Sequence, residues 1–98
     1  MAKEKFVTDD LQNLSEEVVF EQIAILQQEG NKDLPETDIG IQDVAAIALN
    51  NMPPKYVCSF IDKVSPRKEL LDELQDLRKY ARRQLLKAIR KVSKNPHD

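Results

Sequence analysis

The chain has 98 residues, 41% apolar and 33% charged, with a formal net charge of −2; this suits one compact domain whose small core leaves apolar surface to bury against a second copy. No apolar run approaches the ~20 residues that span a bilayer, and the opening Met-Ala-Lys-Glu-Lys lacks the apolar stretch of a secretory signal, so a cytoplasmic protein with no membrane partner is expected. A single cysteine, Cys58, rules out an internal disulfide, and its place in the apolar run Tyr56-Val-Cys-Ser-Phe-Ile61 predicts a small buried core residue.

Residues 1–8 are mostly polar and read as a mobile tail, with Phe6 as its only large anchor. A first helix is predicted from Asp9 or Asp10, capped by Thr8, through Gln28, with Gly30 as its stop. Its apolar positions, from Leu11 through Val18 and Val19 to Leu26, cover more than half the circumference. Such a helix is central to the fold or sandwiched against a partner subunit. Residues 30–40 hold both glycines, Pro35 and several acids, and read as a loop.

A second helix follows from about Ile41 to Asn50, where Ala45, Ala46 and Ala48 permit close packing, and Pro53-Pro54 ends it. Residues 55–62 fit either a short strand or a helical turn, because the period does not separate the two. Ser65-Pro66 then caps a long helix running to Val92 or Ser93. Leu70, Leu74, Leu77, Ala81, Leu85, Ala88 and Val92 recur at three- and four-residue intervals and form one stripe, either core face or dimer seam. The fold class is therefore all-α: a single domain over residues 9–94 with a long C-terminal helix, a homodimer, and a polar tail at 95–98.

Charge is unevenly shared. Residues 1–76 carry 16 acids and 7 bases, whereas residues 77–98 carry 8 bases and 1 acid. On the last helix Lys79, Arg83, Lys87, Arg90, Lys91 and Lys94 fall opposite the apolar stripe, as a solvated face complementing the helix C-terminus. Arg67, Arg78 and Arg82 fall along its edge, where a guanidinium needs a partner: an acid of another helix, such as Glu16, Glu17 or Asp43, or a bound anion.

The residue types that chemistry needs are sparse. His97 stands one residue from the end of the sequence, and one Cys with one His cannot make a four-ligand zinc site. Neither a glycine-rich phosphate loop nor a nucleophile with a neighbouring base is present in the sequence, so no catalysis, metal or cofactor is expected.

Two motifs are more specific. Asp43-Val-Ala-Ala-Ile-Ala-Leu-Asn50, followed by Asn-Met-Pro53-Pro54-Lys55-Tyr56, resembles the D-(V/I)-x-A-x-A-L-N-x-(L/M)-P-P-x-Y core of the late competence protein ComFB family, and Asn13, Glu16, Glu17 and Val18 resemble its N-x-x-E-E-x-V opening helix. Some ComFB-like proteins carry cysteines, as in a zinc site, just before the D-V-x-A helix; here Thr37-Asp-Ile-Gly40 stands there. The form without those cysteines and with an arginine-bearing long helix is similar to the cyanobacterial branch that binds the second messenger cyclic di-GMP.

That resemblance implies a receptor for cyclic di-GMP acting through a downstream protein. The ligand brings two phosphates and two guanines, and arginine can grip phosphate oxygens or the guanine O6/N7 edge and stack on a base. Arg67, Arg78 and Arg82 are the first candidates, with Lys55 as a phosphate cation, Tyr56 as a stacking face or a half-buried core tyrosine, Lys63 as a further cation, and Asp62 or an acid of the Gly30–Gly40 loop as an acceptor for the guanine edge. Two alternatives accompany this reading: a nucleic-acid-binding or DNA-uptake accessory using the basic surface from Arg78 to Lys94, against which the acidic body argues, and a structural adaptor whose arginines are all paired internally.

Overall fold

The computed structural model describes residues 2–58 and 67–94. Among these, three helices carry the fold: α1 (Leu14–Gln28), α2 (Asp38–Asn50) and the long α3 (Lys68–Lys94). Two short strands, β1 (Gln12–Asn13) and β2 (Tyr56–Val57), pair antiparallel with Gln12 opposite Val57 and Asn13 opposite Tyr56. The helical class and the long last helix are as the sequence predicts, and the ambiguous segment after the proline corner begins as a strand. The predicted Ser65-Pro66 cap lies outside the described residues.

Helix α1 starts at Leu14 with Asn13 as its cap, later than the predicted start at Asp9 or Asp10 under Thr8. The tertiary context overrides propensity here. Thr8 instead closes a turn, its carbonyl accepting from Leu11 N–H at 3.0 Å, and Gln12–Asn13 are drawn into the pairing with β2. At the other end Gly30, at φ +72°, takes the left-handed conformation that only glycine adopts without strain. Its N–H and that of Asn31 return to the carbonyls of Gln27 and Leu26, a Schellman closure. The Asn31 side chain then accepts from the N–H groups of Asp33 and Leu34, which turns Leu34 into the core.

Helix α2 begins at Asp38, three residues earlier than the glycine-rich composition suggests. The Thr37 hydroxyl caps it by accepting from Gly40 N–H at 3.0 Å. Gly40 is helical and needed for space: a Cβ there would stand 2.4 Å from the Pro35 Cβ.

The core lies where α3 crosses both shorter helices. Val18, Val19, Ile23 and Leu26 of α1 meet Val44, Ala45 and Ala48 of α2 and the predicted stripe of α3, from Leu77 through Ala81, Leu85 and Ala88 to Val92. Ala48, Ala81 and Ala88 are completely buried, so small side chains sit at the helix contacts and bring the backbones close. Phe6 is 69% exposed and anchors nothing. Cys58 is also exposed, contrary to its predicted burial, because its run opens as a two-residue strand paired with β1 rather than as a core segment. No helix among the described residues is long and apolar enough to cross a membrane.

A polar clasp joins the proline corner to the start of α1. Asn13 Oδ1 accepts from its own helix at Ser15 N–H (3.1 Å) and from Lys55 N–H (3.0 Å). Leu14 N–H donates to the Lys55 carbonyl at 2.6 Å, and the buried Ser15 hydroxyl donates to the Pro53 carbonyl at 2.6 Å. The two prolines stiffen a corner whose carbonyls and amide are then satisfied by residues some forty positions earlier.

Candidate functional site

Along the edge where α3 meets α1, basic residues recur as doublets one turn apart: Arg78-Lys79 and Arg82-Arg83. They line a groove of about 520 Å³ together with Gln22 of α1 and Gln75 and Leu86 of α3. Arg78 Nε donates to Glu21 Oε1 at 2.8 Å, and Arg82 Nη2 to Glu29 Oε1 at 2.5 Å. Both guanidiniums are a little over a third exposed, so each is held by α1 while facing solvent. Arg83 lies over the Tyr80 ring, its Cζ 5.9 Å from the centroid, within cation–π reach.

Among the described residues four cations, Arg78, Lys79, Arg82 and Arg83, line the groove, and Glu21 and Glu29 pair with two of them from beside it. A guanidinium carries five N–H donors, of which Nε–H of Arg78 engages Glu21 and an Nη2–H of Arg82 engages Glu29. An anion with several oxygens, or a planar ring with acceptor edges, can compete for the same forks.

The acids that hold these arginines are Glu21 and Glu29, not the Glu16, Glu17 or Asp43 suggested by sequence. The reason is register: α1 starts at Leu14, and its middle and its C-cap, rather than its first turn, run beside Arg78 and Arg82. Sequence reasoning assigned Lys79 and Arg83 to a solvated face and overlooked Gln22 and Gln75. The doublet spacing was the available signal, since side chains at i and i+4 share a face and Arg78-Lys79 repeats as Arg82-Arg83.

The other predicted residues stand elsewhere. Arg67 is exposed and its carbonyl accepts from Leu71 N–H at the start of α3. Eleven residues separate it from Arg78, about 17 Å along a helix, so it does not line the groove. Lys55 reaches across to Glu73 at 2.6 Å and lines a different, mostly apolar groove on the opposite flank of α3, beside Pro53, Pro54 and Tyr80. Tyr56 is 61% exposed on β2, which makes it a surface ring rather than a core tyrosine. Asp62 and Lys63 lie outside the described residues.

The model of the late competence development protein ComFB family matches residues 12–96, from β1 to beyond the end of α3. The chain belongs to the ComFB family. No curated protein and no solved structure matches it. Within this ComFB-family chain the matched stretch begins at the strand that carries the Asn13 clasp, so the two resembling motifs, the opening helix and the Pro-Pro-x-Tyr corner, are the two sides of one hydrogen-bonded junction.

Proposed function

We propose that this chain is a cyclic di-GMP receptor, a cytoplasmic homodimer without catalytic activity or cofactor, that binds the second messenger along the α1–α3 groove and passes the signal to a protein partner. The observation that carries the reading is the cationic groove itself, with Arg78, Arg82 and Arg83 on adjacent turns and two glutamine amides beside them. Arg78 and Arg82 are the phosphate donors in this reading. Arg83, with Tyr80 behind it, offers a planar surface for a guanine, and Gln22 and Gln75 offer donor–acceptor pairs to its edge.

The glutamates give such a receptor its output. Phosphate oxygens compete with Glu21 and Glu29 for the same guanidiniums, so binding exchanges two α1–α3 ion pairs for ligand contacts. The change is felt at α1, whose Phe20 stands 44% exposed on the outer surface. A two-fold ligand suits a two-fold dimer, each copy supplying the same groove.

Calorimetric titration with cyclic di-GMP at physiological salt, against GTP, cyclic di-AMP and a short DNA duplex, tests the reading. Selective saturable binding that disappears in Arg78→Ala and Arg82→Ala supports it. Absence of heat from a folded protein rejects it. A structural adaptor is the second reading, favoured by the closed Arg78–Glu21 and Arg82–Glu29 pairs; it predicts that the arginine variants lose stability and no ligand binds.

A further inference from the structure

We infer that residues 3–10 of one copy dock along the α2–α3 flank of a second copy, in the groove on the far side of α3 from the arginine doublets. The flank has a polarity. At one end stand Glu73 and Asp76; in the middle Pro53, Pro54, Leu77 and Tyr80 form an apolar floor; at the other end stand Lys87 and Lys91, with the amides of Asn51 and Gln84. Tyr80 belongs to both halves, so the two hollows, about 270 and 410 Å³, adjoin at its ring.

Lys3-Glu-Lys5-Phe6-Val7-Thr-Asp9-Asp10 repeats that order in complementary form: cations first, then an apolar pair, then acids. Nothing in its own copy buries it. Phe6 is 69% and Val7 93% exposed, and the 3-10 turn at Ala2–Lys5 contains no buried residue. Lys5 to Asp10 in extended form spans about 17 Å, and Asp76 to Lys87 along α3 also spans about 17 Å. In the docked register Lys5 meets Asp76, Phe6 and Val7 lie on Pro54 and Tyr80, and Asp9 and Asp10 meet Lys87 and Lys91. Glu73 stays with Lys55. Extending the segment gives up the hydrogen bonds from Leu11 N–H to the Thr8 carbonyl and from Phe6 N–H to the Lys3 carbonyl, and Glu4 and Asp10 exchange the contacts they make in their own copy for contacts across the interface.

The occupant is a second copy because of strand direction. β1 runs antiparallel to β2 with Gln12 opposite Val57 and Asn13 opposite Tyr56, so the chain before Gln12 heads toward Cys58, away from the Pro53–Lys55 end where the groove begins. The family match begins at residue 12, so the docking segment is a feature of this chain beyond the shared family region. The inference stands apart from nucleotide binding, which uses the other flank.

The experiment uses the full chain in a Cys58→Ser background, with Val7→Cys in one population and Gln84→Cys in another. Disulfide formation between the mixed populations, with the dimer dissociation constant rising about tenfold or more in Phe6→Ser/Val7→Ser by sedimentation equilibrium, is the expected result. A Lys5→Glu/Asp76→Lys double variant that recovers the affinity lost by either change alone would fix the register. Cross-linking only within a chain that carries both cysteines means the segment folds onto its own groove and overturns the inference. So does an unchanged dissociation constant, or the absence of any cross-link. Because Phe6 and Val7 are exposed, their replacement does not put folding at risk.

Discussion

Asn13→Ala removes one oxygen that serves two backbone donors, Ser15 N–H at 3.1 Å and Lys55 N–H at 3.0 Å. The first is the cap of α1, and losing such a cap costs about 1 kcal/mol. The second donor sits in a half-buried stretch, where water recovers part of the ~1–3 kcal/mol that an unpaired buried amide would cost. Together the change should destabilise the protein by about 2 kcal/mol, or about 8–16 °C in Tm for a domain of this size. Asn13→Asp keeps the acceptor and adds a negative charge at a helix N-terminus, so it should remain close to wild type. Thermal and urea unfolding followed by circular dichroism, at fixed protein concentration, measures both. An Asn13→Ala loss below about 0.5 kcal/mol, or an Asp variant as damaged as the Ala variant, would show that the clasp does not hold the proline corner to α1.

Four further outcomes follow from the same structure. Ser15→Ala should cost about 1–2 kcal/mol in urea unfolding, since the Pro53 carbonyl loses the buried hydroxyl that donates to it at 2.6 Å. Gly40→Ala, whose Cβ would stand 2.4 Å from the Pro35 Cβ, should cost about 1–3 kcal/mol by the same assay and be relieved by a second change, Pro35→Ala, only in part because Thr37 Oγ1 is also close at 3.0 Å. Leu85→Ala, at a completely buried site on the α3 stripe, should cost about 2–5 kcal/mol, in contrast to the 46% exposed Leu71→Ala, which should stay within about 0.5 kcal/mol. Glu21→Gln with Glu29→Gln should tighten cyclic di-GMP binding in calorimetry while changing stability by no more than about 1 kcal/mol, because both pairs are roughly half exposed; weaker binding would mean that the carboxylates orient the arginines rather than compete for them.

The sequence by itself determined the helical class, the end of α1 at Gly30, the stop at Pro53-Pro54 and the buried face of α3. Each is written in local spacing or in a residue whose backbone preference acts wherever it stands, as the left-handed φ of Gly30 and the regular recurrence of Leu77, Ala81, Leu85 and Val92 illustrate. The ComFB motifs were legible as patterns too, but their physical meaning was not. That Asn13 holds Lys55, and that Ser15 holds Pro53, depends on two segments about forty residues apart meeting in space. Only the tertiary structure decided the start of α1, where pairing with β2 outweighs the helix signals of Asp9 and Asp10, and the exposure of Cys58. It also decided the site. A helical wheel places Arg78 and Arg82 at the edge of α3, but the identity of their partners, Glu21 and Glu29, follows from how α1 lies along that edge. The same packing assigns Lys55 to the opposite flank, against Glu73, and so divides one predicted cluster between two grooves. Short-range order follows from backbone and periodicity, whereas which charges meet is a property of packed helices whose relative placement no local pattern encodes.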